Sequence, residues 1–139
     1  ECHERISQLF LENPANSMRI HIISFGFKYG IPNDSDLVFD VRCLPNPFYI
    51  DSLKERTGLE QPVYDFVMKW EQAVGLRDKL FDLIDFLLPH YRSEGKSQLV
   101  ISIGCTGGRH RSVVFAELIK AHLTDDGLFL SINHRDIKK

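Results

Sequence analysis

The stretch LVISIGCTGGRHRSVVFAE, which runs from Leu99 to Glu117, decides the fold of this chain. Four of its first five residues are apolar and three of these are β-branched, a composition typical of a buried strand. Gly104, Gly107 and Gly108 then interrupt the strand and permit backbone angles that are closed to other residues. Apolar residues return at helical spacing, with the first turn expected between Arg109 and Val113. The sequence therefore predicts a strand, a glycine loop and a helix in direct succession.

This junction predicts an anion-binding site. A loop between a strand and a helix points unpaired backbone N–H groups and the positive end of the helix dipole at one place. Cationic side chains at a helix N-terminus are unfavourable unless an anion offsets them, and two arginines and a histidine lie here. A phosphate is therefore the expected ligand, and a sulfate is expected to occupy the same site. A glycine turn without any ligand is the alternative. The predicted ligand-binding residues of the loop are Thr106, Gly107, Gly108, Arg109, His110 and Arg111.

The loop lacks the signatures of two common phosphate sites. No Gly-Lys-Ser/Thr follows the glycines, as it does in a P-loop, and the dinucleotide pattern GxGxxG is absent. The spacing of Cys105, Arg111 and Ser112 does match that of cysteine phosphatases, in which a thiolate attacks phosphorus while the arginine holds the oxygens. A phosphatase with Cys105 and Arg111 as catalytic residues is therefore the alternative to a binding module. Asp40 and Asp136 are the acidic residues that could approach the loop in space as a general acid.

Composition limits the chain to one domain and excludes several classes of protein. Its 139 residues suffice for one domain with a core and not comfortably for two. The formal net charge is −2, so no global positive field attracts nucleic acid or membranes. Cys2, Cys43 and Cys105 are an odd number without framework spacing, which favours a reducing compartment. Since no leader and no membrane-length apolar run is found, we expect a cytoplasmic protein without membrane contact.

Periodicity predicts the remaining elements. Strands are expected near residues 18–24, 37–42, 99–103 and 128–132, and further amphipathic helices after Pro62 and over Leu76–Tyr91. The predicted fold is a single small α/β domain. Its one four-stranded sheet is mostly parallel or mixed, helices pack on it, and the glycine loop follows a central strand. Residues 1–17 are expected to form a short helix and a lead-in from a missing preceding domain, and residues 18–139 the α/β domain.

Three more residues are candidates for the ligand site. The segment FGFKYGIP, which follows the first predicted strand, places Lys28 and Tyr29 on a turn bracketed by glycines. The alternative is a solvated lysine beside packed aromatic side chains. Asp40 and Arg42 share one face of the second predicted strand, either as a structural ion pair or as part of a site. We therefore predict that Lys28, Tyr29 and Arg42 line the pocket together with the loop.

Five ordered motifs resemble one known family. They are FGFKYGIP at Phe25–Pro32, DLVFDVRCLPNP at Asp36–Pro47, TGL at Thr57–Leu59, GCTGGRHRSV at Gly104–Val113 and HRD at His134–Asp136. Together they are similar to the C-terminal domain of the RapZ/YvcJ family, bacterial nucleotide-binding proteins whose best-known member is an RNase adapter. The resemblance covers nearly the whole chain from about Ile20 onward, and five motifs in order are far more specific than any one of them.

The resemblance implies a function. In this family the small α/β domain follows a P-loop domain that carries nucleotide hydrolysis, so the resemblance places nucleotide hydrolysis outside this chain, and no metal or cofactor is expected in it. The domain of the adapter branch binds glucosamine-6-phosphate, contacts small regulatory RNA and assembles into homo-oligomers. The loop residues that match are Thr106, Gly107, His110 and Arg111. RNA contact is expected from a local basic patch, because the net charge is negative. The residues of this patch are Arg135, Lys138 and Lys139, and a solvated tail without an RNA role is the alternative.

Overall fold

The computed structural model describes residues 18–123 and 129–138. Its strands are β1 (Arg19–Gly26), β2 (Leu37–Asp40), β3 (Gln98–Cys105) and β4 (Phe129–His134). They form one sheet in the order β2-β3-β1-β4, and all three pairings are parallel. The predicted α/β domain with one four-stranded sheet is therefore confirmed, and the sheet is parallel throughout. The helix expected within residues 1–17 lies outside the described residues.

The three helices that the sequence predicted are present with shifted ends, and a short helix that it did not predict precedes them. They are α1 (Asp51–Lys54), α2 (Gln61–Met68), α3 (Glu71–Ser93) and α4 (Arg111–Leu123). Pro62 lies in the first turn of α2, where its fixed φ favours helix and its missing N–H costs nothing. The helix after the glycine loop begins at Arg111, so Arg109 and His110 belong to the loop.

The core lies between the helices and one face of the sheet. Ile22 of β1 and Ile101 of β3 are fully buried and pair with each other across the ladder. Phe115 and Ile119 of α4 belong to the same apolar cluster and are also inaccessible to solvent. Because β1 and β3 are the two inner strands, the strand before the glycine loop is central, as the sequence predicted.

The opposite face of the sheet is more polar. His21 of β1 lies on this face, and its Nδ1 is 2.6 Å from the hydroxyl oxygen of Ser131 on β4. His21 is therefore a sheet-face residue with a side-chain partner.

The end of β1 is held against the glycine loop. A Cβ on Gly26 would meet the carbonyl oxygen of Gly107 at 2.6 Å, and one on Gly108 would meet the nitrogen of Gly26 at 2.5 Å. Gly108 also has φ of 78°, which other residues rarely adopt. The N–H of Gly26 donates to Oδ2 of Asp136 at 2.8 Å, and Asp136 is fully buried. Glycine is therefore required on both sides of this contact, which fixes the position of the loop.

Replacing Gly26 by alanine tests this contact. Because backbone atoms of Gly107 oppose the new methyl group and cannot rotate away, we expect Gly26→Ala to lower the free energy of unfolding by about 1–3 kcal/mol. In α3, a Cβ on Gly75 meets no described atom within 4 Å, so Gly75→Ala is the control and should raise stability by about 0.5–1 kcal/mol. Urea unfolding measures both, and a Gly26→Ala domain as stable as wild type would contradict the close approach.

Candidate anion-binding site

A cavity of about 320 Å³ opens beside the glycine loop, at the carboxyl ends of β1 and β3. Ligand sites of parallel α/β sheets commonly occupy this edge. Among the described residues that line the cavity, none carries a carboxylate. The lining residues are Lys28, Tyr29, Asn46, Phe48, Tyr49, Cys105, Thr106, Gly107, Arg109, His110 and Arg111.

The loop is held on both sides by backbone hydrogen bonds. The N–H of Lys28 donates to the carbonyl of Thr106 at 3.3 Å, and the N–H of Gly58 donates to the carbonyl of Arg109 at 3.0 Å. The helix that follows is thirteen residues long, and the N–H groups of its first turn have no helical acceptors. The positive end of α4 therefore begins at the cavity, as the sequence predicted.

Arg111 provides a buried positive charge at this helix start. The residue is 4% exposed, and its Nη1 donates to the carbonyls of Arg42 at 3.0 Å and Leu44 at 2.8 Å. Its Nη2 donates to the hydroxyl of Thr106 at 3.4 Å. Within the described residues these neutral groups are its partners, with no carboxylate in ion-pair contact, and its Nε has no hydrogen-bond partner. A buried charge is costly unless it is paired, so the arrangement favours an anionic ligand.

His110 is buried beside the same loop. It is 5% exposed, and burial lowers the pKa of its ring below the ordinary value of 6.5. The nearby carbonyls of Arg56, Lys54 and Leu53 act in the opposite direction, and the charge of Arg109 adds to the lowering. Its Nε2 has no hydrogen-bond partner among the described residues. At neutral pH the His110 ring is therefore uncharged, and it adds no positive charge to the site.

Of the other predicted ligand residues, some line the cavity and some do not. Lys28 and Tyr29 lie at its mouth, with the Lys28 ammonium 5.2 Å from the Tyr29 ring centre. Arg109 lines the cavity and donates to the carbonyl of Glu55 at 3.2 Å. Gly108 faces β1 instead and does not line the cavity.

Arg42 is not brought to the cavity. Its guanidinium pairs with Asp40 at 2.8 Å and lies 4.0 Å from the ring centre of Phe27. The hydrogen bond from Arg42 lowers the pKa of Asp40, so this carboxylate stays charged. The pair is therefore a surface ion pair next to the site, and Arg42 contributes to the site through the carbonyl that Arg111 binds.

The sequence analysis missed one side of the cavity. Asn46, Phe48 and Tyr49 line it from a short 3₁₀ turn, Pro47–Tyr49, in the segment after β2. A signal was present in the sequence, because two aromatic residues directly follow the rigid pair Asn46-Pro47. Local periodicity gave no reason to place this segment at the cavity beside the glycine loop.

The thiol of Cys105 points into the loop. It donates to the hydroxyl of Ser112 at 3.2 Å and accepts from the N–H of Gly108 at 3.3 Å, and the residue is 2% exposed. Asp40 and Asp136, the acidic residues considered as general acids, do not line the cavity. The spacing typical of phosphatases is thus present without a carboxylate among the lining residues.

Of the three predicted RNA-binding residues, Arg135 already has partners within the domain. Arg135 donates to the Asp136 carboxylate at 2.7 Å and to the carbonyl of Gly30 at 2.6 Å. Lys138 is exposed, and Lys139 lies outside the described residues. RNA binding through these three residues stays a prediction, in which Arg135 already has a structural role.

In residues 18–123 and 129–138 no helix has the length and apolar character needed to cross a membrane. The same residues contain no group of three or more histidine, cysteine, aspartate or glutamate side chains that could hold a metal ion.

Comparison with known proteins agrees with the motifs. The sequence model of one protein family, the RapZ C-terminal domain, matches residues 18–138 of this chain. The chain is 53% identical over 139 residues, all of it, to a nucleotide-binding protein of Bacillus cytotoxicus, and it covers 47% of that protein. It is 53% identical over 137 residues, 98% of it, to a nucleotide-binding protein of Caldicellulosiruptor bescii and again covers 47% of the relative. The chain therefore spans about half the length of the curated relatives it matches.

His110 should make the stability of the domain depend on pH. Because burial lowers its pKa in the folded state, the unfolded chain binds more protons once the pH falls below 6.5, and the free energy of unfolding then decreases. We expect His110→Gln to reduce the stability loss between about pH 7.5 and about pH 5.5, and His90→Gln, which alters an exposed histidine of α3, to leave it unchanged. Urea unfolding across this range is the measurement. An identical pH dependence in wild type and His110→Gln would contradict the assignment.

Proposed function

The chain belongs to the RapZ C-terminal domain family, and we propose that it is a binding and regulatory module that holds a phosphorylated metabolite in the cavity beside the glycine loop. The observation that carries this proposal is the buried guanidinium of Arg111. Within the described residues it has neutral acceptors only, and no carboxylate lines the cavity next to it. The Asp40 carboxylate acts on Arg111 through space without an ion-pair contact, and a phosphate dianion in the cavity would supply a countercharge in direct contact.

The surrounding groups support a phosphate rather than a simple monovalent anion. Arg111 and the first-turn N–H groups of α4 can donate to oxygens on one side of the ligand, and the Thr106 hydroxyl lies beside them. Lys28 adds a second positive charge at the mouth. Because Lys28 and Tyr29 line the cavity on an exposed turn, a bound ligand would cover part of that turn. Such a turn is a means by which ligand state can change the surface offered to a partner.

The size of the cavity bears on the ligand. At about 320 Å³ it is near the lower end of the usual range of roughly 300–1,000 Å³ for ligand pockets, which suits a small phosphomonoester. Glucosamine-6-phosphate, which the resemblance implies, is therefore the first ligand to test.

We assign the nucleotide binding in the relatives' names to the half of those proteins that this chain does not span. A cytoplasmic location is part of the same proposal, since sugar phosphates of this kind are cytoplasmic metabolites.

Replacing Arg111 tests the phosphate site. Arg111→Ala removes a charge-assisted contact, so we expect the affinity for glucosamine-6-phosphate to fall by about 1.5–3 kcal/mol in calorimetry. Arg111→Lys keeps the charge without the planar fork, and its loss should be intermediate. Arg77→Ala, on α3 away from the cavity, is the control. Thermal unfolding is recorded alongside, because Arg111 also binds the carbonyls of Arg42 and Leu44. Unchanged affinity in folded Arg111→Ala would refute the site.

A cysteine phosphatase is the second candidate function, favoured by the position of Cys105. Cys105 lines the cavity, and its sulfur lies within hydrogen-bond distance of Ser112 and Gly108. In such an enzyme the thiolate forms a sulfur–phosphorus bond as the bond from phosphorus to the leaving alcohol breaks, and an acid protonates the alcohol. No carboxylate among the lining residues can supply that proton, so we rank this function below binding.

Turnover of an aryl phosphate separates the two functions. We expect wild-type protein to show no hydrolysis above background, because the lining residues include no carboxyl general acid. Cys105→Ser should keep its affinity for glucosamine-6-phosphate, since a hydroxyl can replace the thiol in both hydrogen bonds. Cys43→Ser, which alters the exposed cysteine, is the matched control. Hydrolysis that is abolished in Cys105→Ser and retained in Cys43→Ser would establish the phosphatase instead.

A further inference from the structure

The mouth of the cavity carries exposed aromatic rings and ammonium groups side by side. We propose that this surface docks an acidic segment of a partner protein, in which an apolar or aromatic side chain is flanked by carboxylates. The mouth surface consists of Tyr29, Phe48, Tyr49, Lys28 and Lys54. The inference goes beyond the proposed function and does not depend on it, because it concerns the rim of the cavity and a macromolecular partner.

Exposed aromatic rings are the first observation. Tyr49 is 80% exposed, Phe48 47% and Tyr29 39%, and all three line the same cavity. Large apolar side chains that are exposed together often mark a surface that another molecule covers. Aromatic residues, tyrosine among them, are enriched at the centres of protein–protein interfaces. The three rings therefore indicate a docking surface at the mouth.

Two of these rings lie on an ordered turn. The Asn46 side chain accepts from the N–H of Phe48 at 3.0 Å, and the N–H of Ile50 donates to the carbonyl of Pro47 at 2.9 Å. The rings of Phe48 and Tyr49 meet edge to face, with centres 5.7 Å apart. Docking on this turn therefore costs little for ordering the backbone.

The charges at the mouth indicate an acidic partner. The Lys54 ammonium lies 4.8 Å from the Phe48 ring centre, and the Lys28 ammonium lies 5.2 Å from the Tyr29 ring centre. Both lysines are exposed, and among the described residues neither ammonium lies within ion-pair distance of a carboxylate. Carboxylates on either side of an apolar side chain would complement the ammonium groups and the rings at the same time.

The neighbouring residues favour a polypeptide over RNA. Single-stranded RNA stacks its bases on planar rings, but Ile31 and Ile50, 49% and 38% exposed, lie within two positions of the rings in the chain and have no planar face. Glu55 directly follows Lys54, and 82% of its side chain is exposed, so it would repel a continuous phosphate backbone. A peptide can place a carboxylate beside Lys54 and an uncharged residue beside Glu55.

Fluorescence anisotropy of four labelled probes tests the inference on the whole chain. The acidic probe is a short peptide in which leucine and phenylalanine alternate with glutamate. The basic probe has lysine in place of glutamate, the polar probe has serine in place of the apolar residues, and an oligouridylate represents RNA. We expect the acidic probe to bind at least about tenfold more tightly than each of the others, because it alone complements both the rings and the ammonium groups.

Two variants show whether the acidic probe binds at the mouth. Lys54→Glu should weaken the acidic probe by at least about fivefold and tighten the basic probe, because it reverses the charge beside Phe48. Tyr49→Ala should weaken the acidic probe by about three- to tenfold. Lys79→Glu and Phe86→Ala are the matched controls, since both residues are exposed on α3 and do not line the cavity, and they should leave the binding unchanged.

Wild-type protein that does not prefer the acidic probe to the basic and polar probes would overturn the inference. Unchanged binding of the acidic probe in Lys54→Glu and Tyr49→Ala would also overturn it, because the peptide would then bind elsewhere. Tighter binding of the oligouridylate would assign the mouth surface to RNA instead. Thermal unfolding is recorded alongside, and Tyr49→Ala decides the test if Lys54→Glu lowers the melting temperature. Lys54 does not line the cavity, so failure of this test leaves the phosphate site standing.

Discussion

The close approach of Gly26 to Gly107 and Gly108 is the contact on which the rest of the site depends. It joins the end of β1 to the loop after β3 by backbone alone, and a Cβ on either side would collide with main-chain atoms. The buried carboxylate of Asp136 reinforces the contact by accepting the N–H of Gly26. Arg135 pairs with that carboxylate, so the HRD motif acts as a brace for the loop. The loop is therefore positioned before any ligand arrives, which lowers the cost of binding.

One short segment after β2 links the two halves of the proposed ligand site. The carbonyls of Arg42 and Leu44 hold the Arg111 guanidinium, and a few residues later the chain presents Phe48 and Tyr49 at the cavity. The charge that would bind the phosphate and two aromatic side chains that line the cavity are thus fixed by the same piece of backbone. Misplacing this segment would disturb both, which gives a physical reason for its rigid prolines.

The position of Cys105 shows why spacing alone does not define a catalytic site. A cysteine followed five residues later by arginine and serine brings a thiol, a guanidinium and a hydroxyl to one loop. In this domain the thiol is engaged with Ser112 and Gly108, and the guanidinium with backbone carbonyls. The cavity lining provides positive charge and aromatic surface without a carboxylate, a combination better suited to holding a phosphate than to transferring one.

The sequence by itself determined the elements, because strands, helices and glycine turns follow from local periodicity. It also placed Arg111 and the glycine loop at the end of a central strand. Only the tertiary structure decided what reaches the cavity: Arg42 pairs with Asp40 and stays outside, whereas Phe48 and Tyr49 lie inside. It likewise decided that Arg135 braces a buried carboxylate. These outcomes depend on contacts between residues far apart in sequence, such as the 110 positions between Gly26 and Asp136, and local patterns carry no information about them.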